Sequence, residues 1–186
     1  MKQHWKPGTM IYPAPAVLVS CGTADTSNFL TVAWTGTVCT NPAMCSISIR
    51  PERYSHSLIM ETMEFTINLT TEAMARATDL AGVKSGRDGD KWKLTGLTPA
   101  PGVNVGCPMI EQSPLSIECR VTEVLRLGSH DMMIGRVMGV IADERYIDAD
   151  TGKFNLERAG LIAYSHGAYY SIGEKIGHFG WSVKKK

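Results

Sequence analysis

Between Leu115 and Thr122, apolar and polar side chains alternate one for one: Leu115, Ile117, Cys119 and Val121 against Ser116, Glu118, Arg120 and Thr122. Only an extended chain, whose successive side chains point to opposite faces, gathers such a set on one side, so the segment reads as a half-buried strand. A partner over Met132–Ile141 follows a turn at Gly128–His130, and shorter runs at Ala16–Cys21, Met44–Ile49 and Phe65–Leu69 repeat the signal. Helical patterning is sparser. Ser55 is placed to cap a helix over Ser57–Thr62, and Thr71 to cap one that sets Ala73, Met74, Ala77 and Leu80 on one face before Gly82 stops it. Asp88–Leu94 offers a third short helix. Between Leu97 and Pro114, the prolines 99, 101, 108 and 114 with Gly102 and Gly106 mark an irregular connection. Several strands separated by turns, with only short helices, predict a mainly β fold, an antiparallel barrel rather than a parallel doubly wound sheet.

The chain has 186 residues, 44% hydrophobic and 20% charged, the balance of an ordinary globular protein. No linker divides it, so residues 1–186 read as a single domain with its core over about 13–183. Nineteen Lys and Arg against eighteen Asp and Glu leave a net charge of +1. No global field draws nucleic acid or an anionic membrane surface, and any anionic ligand must be held by local groups. Pro13 and Pro15 break the region after the amino terminus, which argues against a secretory signal. Cys21, Cys39, Cys45, Cys107 and Cys119 form an odd set without a C-x-x-C pair, which fits neither a disulfide framework nor a zinc site. The expected compartment is the cytoplasm. The histidines are scattered without an H-x-x-x-H pair, so no metal site is expected, and Lys184–Lys186 read as a solvated end.

From Thr26 to Ile49 there are 24 residues without a charge. Their many hydroxyls and amides rule out a membrane span and suit the edge of a neutral polar ligand, or else a buried strand pair with a turn. Two anion candidates follow this stretch in sequence. In Arg50-Pro51-Glu52-Arg53-Tyr54-Ser55, the arginines suit bidentate phosphate contacts, Ser55 offers a hydroxyl and a helix-start amide, and Tyr54 can cover an aromatic ring. A solvated, capped turn is the plainer reading. The second, Gly82–Lys91, fails the nucleotide phosphate-loop pattern because Gly86 is followed by Arg87 and Asp88, yet Lys84, Ser85, Gly86 and Arg87 suit a monophosphate. A helix-to-helix turn is its alternative. Asp148, Asp150 and Gly152 resemble a calcium loop, but Ala159 stands where the bidentate Glu belongs, so a hairpin turn fits better. His166 lies in the aromatic segment Tyr164–Tyr170; no Gly-x-Ser-x-Gly or local nucleophile pattern supports a hydrolase.

Taken in order, the blocks Asn28–Thr37, Asn41–Met44, Ser46–Ser55, Glu64–Leu69, Ser85–Lys91 and Tyr164–Tyr169 resemble the flavin reductase-like, FMN-binding split-barrel family, of the flavoredoxin type. The resemblance runs from about Pro13 to the carboxyl end and implies a homodimer of split β-barrels, antiparallel and Greek-key-like, with FMN near the subunit interface. It implies an NAD(P)H-dependent flavin reductase that passes electrons from NADH or NADPH through FMN to free flavin, ferric iron or a partner. The alternative is a carrier reduced by a redox protein. On that basis Trp34, Thr35, Gly36, Thr37, Val38 and Asn41 are expected at the flavin ring. Arg50, Arg53 and Ser55, together with Lys84, Ser85, Gly86 and Lys91, are expected at the phosphate, with Tyr54 beside them and Asn68 as a further polar contact. His166 is expected near the nicotinamide, as a positioning group for the donor. Ala43 stands where many relatives carry a second proline.

Overall fold

The structure is a computed structural model that describes residues 1–183; the terminal lysines 184–186 lie outside the described residues. Its strands are β1 (Ala14–Pro15), β2 (Val17–Cys21), β3 (Asn28–Val32), β4 (Thr35–Thr40), β5 (Ala43–Ile49), β6 (Glu64–Leu69), β7 (Pro99–Ala100), β8 (Met109–Ile110), β9 (Leu115–Arg126), β10 (Asp131–Ala142), β11 (Ile162–Ser165) and β12 (Ala168–Ser171). The helices are α1 (Tyr54–Thr62), α2 (Ala75–Val83) and α3 (Lys91–Thr95). No helix among the described residues is long and apolar enough to cross a membrane.

Seven strands form one antiparallel sheet in the order β3-β2-β6-β9-β10-β5-β4. β3 and β5 stand near opposite ends of that order, yet Leu30 of β3 and Ile47 of β5 share one core with Val19, Phe65, Cys119 and Met133. The sheet is therefore curled into a barrel, with an interior filled by side chains. Ile47, Ile59, Phe65 and Met133 within it are fully buried. Gly135 is what the packing requires at its position, because a Cβ there would stand 2.7 Å from the Phe65 ring and 2.9 Å from Cys119 Cβ.

β2 is buried on both faces. Val17, Val19 and Cys21 face the barrel interior. Leu18 joins a second core outside it with Phe29, Met74, Ala81, Leu97 and Ile110. The helices α2 and α3 and the connection over 97–110 supply that outer layer, which explains why the run Ala16–Cys21 is apolar without alternation.

The paired β9–β10 hairpin matches the alternation in the sequence, with Gly128 at φ 102° in its turn. One expectation fails there: Ser116 and Glu118, on the nominally wet face, are buried. The connection over 102–106 folds over Glu118, whose carboxylate accepts from Val103 N at 2.6 Å, Asn104 N at 2.8 Å and Asn104 Nδ2 at 2.8 Å, while Ser116 Oγ donates to Asn68 Oδ1 at 2.8 Å. The helix starts are also corrected. α1 begins at Tyr54 with Arg53 at its N-cap, and Ser55 is buried inside the first turn. Thr71 makes no side-chain cap, and Ala73 is exposed. α3 begins later than Asp88 because Asp90 caps it, accepting from Trp92 N at 2.9 Å. The turn at Asp148 closes as expected, with Gly152 N donating to Asp148 O at 2.8 Å.

Candidate functional site

Where β5 ends, the chain leaves the sheet at Arg50 and re-enters regular structure at α1. The intervening turn bonds, Arg53 N to Arg50 O at 3.0 Å and His56 N to Arg53 O at 2.9 Å, aim both arginines outward beside the loop that follows α2. Arg53 Nη1 donates to Gly82 O at 3.3 Å, and Arg87 Nη1 donates to Glu52 O at 2.9 Å while its guanidinium lies 5.5 Å from the Tyr54 ring centre. Two loops far apart in sequence are thereby laid side by side.

Between them is a cleft of about 270 Å³. Its walls carry Arg50, Arg53, Tyr54, Ser55, Lys84, Ser85, Gly86 and Lys91, so both anion candidates of the sequence reading fall on one cavity. Asn28 and Arg87 belong to it too. The charge is one-sided: among the described residues Arg50, Arg53, Lys84, Arg87 and Lys91 stand against the one carboxylate of Glu52. Such a set suits a compact dianion. Gly86 is required sterically, since a Cβ would stand 2.6 Å from Asn28 Oδ1 and 2.6 Å from Tyr54 Cδ1. Lys91 differs from the other cations: it is buried, and its ammonium donates to Phe29 O at 2.9 Å and Ala81 O at 2.7 Å. Burial, and then the charge of Arg53, push its pKa down to about 8.

A second cleft of about 300 Å³ shares Leu30, Arg50 and Arg53 with the first. Beyond those residues its lining is aromatic and neutral, with Trp34, Tyr164 and Tyr169 beside Thr31, Ser48 and Ala33, and no carboxylate among the described residues lines it. Tyr164 and Tyr169 meet edge to face at 5.7 Å. Tyr169 Oη donates to Asp79 at 3.3 Å, and burial, with Asp79 behind it, pushes that phenol up to about 12, so it stays protonated.

The remaining site expectations divide. Of the ring set only Trp34 lines the cleft. Thr35, Gly36, Thr37 and Val38 run along β4, the outermost strand, and Asn41 is exposed in the β4–β5 turn. The rise of about 3.3 Å per residue along a strand carries them away. Asn68 is corrected outright. It is fully buried in the outer core; Nδ2 donates to Leu18 O at 3.0 Å and Ser20 Oγ at 2.9 Å, and Oδ1 accepts from Ile110 N at 3.0 Å and Ser116 Oγ at 2.8 Å. No capacity is left for a ligand. His166 is exposed in the β11–β12 turn at φ 49°, followed by Gly167 at φ 81°, a two-residue hairpin turn of the primed kind. Its ring packs against Tyr12 at 4.5 Å, tilted by 40°, and Tyr12 in turn lies 6.3 Å from Tyr164, which lines the neutral cleft. Sequence reasoning missed Tyr164, Tyr169, Thr31 and His130 as lining residues. Only the aromatic richness of the late segment hinted at the first two.

A flavin reductase-like domain model matches residues 9–173. The flavoredoxin of Desulfovibrio vulgaris (Miyazaki F) superposes with a TM-score of 0.91 at 30% identity, covering 99% of this chain and 100% of that one. An FMN-binding protein of Thermus thermophilus, solved with bound 1-cyclohex-2-enone, shares the fold at TM-score 0.81 and 24% identity, over 96% of this chain and 99% of that one. An uncharacterised protein of Pyrococcus abyssi is 30% identical over 167 residues, 90% of this chain and 95% of its own length. A curled antiparallel barrel with its clefts on the outer rim, matched over nearly all its length by these relatives, is the split barrel, and the chain belongs to the flavin reductase-like domain family.

Proposed function

We propose that the protein binds FMN and is an NAD(P)H-dependent flavin reductase. The observation that carries this reading is the continuity of two unlike clefts through Arg50 and Arg53, one cationic and one neutral and aromatic. A flavin mononucleotide has that same division: a terminal phosphate and an uncharged ring with carbonyl and ring-nitrogen acceptors. The donor set fits it. Arg50, Arg53, Lys84, Ser55 and the Ser85–Gly86 backbone would hold the phosphate, and Trp34, Tyr164 and Tyr169 would flank the ring. When bound, FMN supplies hydride acceptance from NADH or NADPH and electron release to free flavin, ferric iron or a redox partner. The protein's share is to hold and orient, to keep anionic side chains away from the ring, and to exclude water. His166 positions the nicotinamide from the rim.

The chain is further proposed to act as a homodimer in the cytoplasm. β4 ends the sheet order with Val38 exposed, and Met138 and Val140 are exposed on β10, which supports a partner surface there. Its five cysteines are free, which supports a reducing compartment. Similarity to a flavoredoxin favours a second reading, a carrier reduced by a redox protein. Mixing the FMN-loaded protein anaerobically with NADH or NADPH separates the two. Bleaching on a turnover timescale is expected; colour that persists until a protein donor is added supports the carrier. A purified protein that takes up no FMN on titration contradicts both.

A further inference from the structure

Both clefts take Arg50 and Arg53 from one short connection, so whatever fixes that connection shapes both. Its two ends meet the same residue. On the sheet side Ile49, the last residue of β5, pairs with Asp131 at the start of β10. On the helix side His56, in the first turn of α1, brings Nε2 to 2.9 Å from Asp131 Oδ2. These side chains are only 13% and 11% exposed, far more enclosed than the 54% and 66% of the Arg50–Glu52 pair at 3.5 Å. An enclosed carboxylate requires a polar partner, and His56 supplies it. The arginines have no comparable anchor of their own: Arg53 holds Gly82 O at 3.3 Å from an exposed position. His130, the neighbour of Asp131, lines the neutral cleft, so the residue just before β10 reaches that compartment directly.

We propose that Asp131 and His56 are positioning residues that clamp the Arg50–Ser55 connection in the shape that receives a phosphate. The identity of the ligand rests on the FMN reading above, whereas the clamp belongs to the ligand-free chain. Neither residue lines the cationic cleft, so both act through Arg50, Arg53 and Ser55. Misplacement of a charged donor pair by an ångström weakens an oriented contact by about ten- to a hundredfold.

The test uses Asp131→Ala, the near-isosteric Asp131→Asn and the conservative His56→Gln, which keeps a donor for Oδ2. In ligand-free protein, hydrogen exchange of the Arg53 and His56 amides should accelerate about tenfold in Asp131→Ala, with the Cys119 amide in the barrel unchanged. Its FMN dissociation constant should rise about tenfold and that of riboflavin less than twofold, and His56→Gln should retain most of the native values. Asp131→Asn keeps an acceptor for His56 Nε2 and should retain most of the native values; if Asp131→Ala does not fold, His56→Ala, which removes the partner of Oδ2, carries the same two measurements. Unaltered exchange at Arg53 and His56, or equal losses of FMN and riboflavin, would overturn the clamp. If the wild type binds no FMN, the functional reading fails on its own while the exchange measurement still decides the clamp.

Discussion

The side-chain amide of Asn28 donates to the hydroxyl of Ser55 at 2.8 Å, joining the first residue of β3 to the first turn of α1. A hydroxyl that accepts one bond keeps its own proton to donate, so Asn28 sets Ser55 as a donor within the cationic cleft. Gly86 closes over both. Gly86→Ala forces a Cβ to 2.6 Å from Asn28 Oδ1 and should cost about 1–3 kcal/mol of stability. Thermal denaturation would register it as about 2–4 °C per kcal/mol. FMN affinity should fall with it, and an unchanged melting curve would contradict the packing described.

Arg50→Ala removes a cation that both clefts share while deleting only an exposed ion pair with Glu52. Such pairs contribute little, so stability should be almost unaffected. The dissociation constant for FMN should rise by about tenfold or more, as expected for a charge-assisted contact, with a smaller change for riboflavin. Equal losses for the two flavins would remove Arg50 from the phosphate. Arg50→Lys should recover only part, because one ammonium cannot make the paired contact.

Lys91 sets a pH dependence. Its folded pKa, lowered from 10.5 to about 8, means that the folded chain releases this proton before the unfolded chain does. The unfolded state therefore binds more protons between pH 8 and 10.5, and this residue's contribution to folding stability rises across that window. A neutral amine keeps two N–H groups, enough for Phe29 O and Ala81 O, so the local fold persists while the positive charge is lost. FMN affinity should then fall as the pH rises through about 8, with riboflavin flat. Titrations of both flavins on either side of that pH check it.

Asn68→Ala should act on stability alone. It strands Ile110 N and Ser116 Oγ inside the outer core, which costs about 2–4 kcal/mol in a denaturant titration. The folded fraction should bind FMN with native affinity. A selective loss of flavin binding would return Asn68 to the ligand.

His166→Asn preserves the positive φ of the hairpin turn, since asparagine tolerates that region, and deletes the ring contact with Tyr12. The KM for the nicotinamide should rise about two- to tenfold with flavin content intact. Loss of bound flavin instead would assign His166 to the cofactor.

The strands were legible because a period of two is written within a few residues, as at Leu115–Val121. Burial of the opposite face was not, because the groups that cover Glu118 come from Val103 and Asn104, fifteen and fourteen residues away. The same blindness misassigned Asn68, a polar residue at a strand end whose partners Leu18 and Ile110 are distant in sequence. Ser55 sits where the sequence pattern expects a cap and is instead a buried acceptor, since only the fold brings Asn28 to it. The cationic cleft was legible residue by residue because cations, serine and glycine cluster locally in each loop. Tyr164 and Tyr169 were not, because their approach to Trp34 depends on where the late hairpin docks.

Phe65, Ile47 and Met133 fill the barrel interior, and both clefts open at its rim, beside Leu30. A ligand seated there is not swallowed as in a lipocalin-type container but displayed on a rigid drum. One side of it is held, and the other faces outward, where a second molecule can lie against it without any strand having to part.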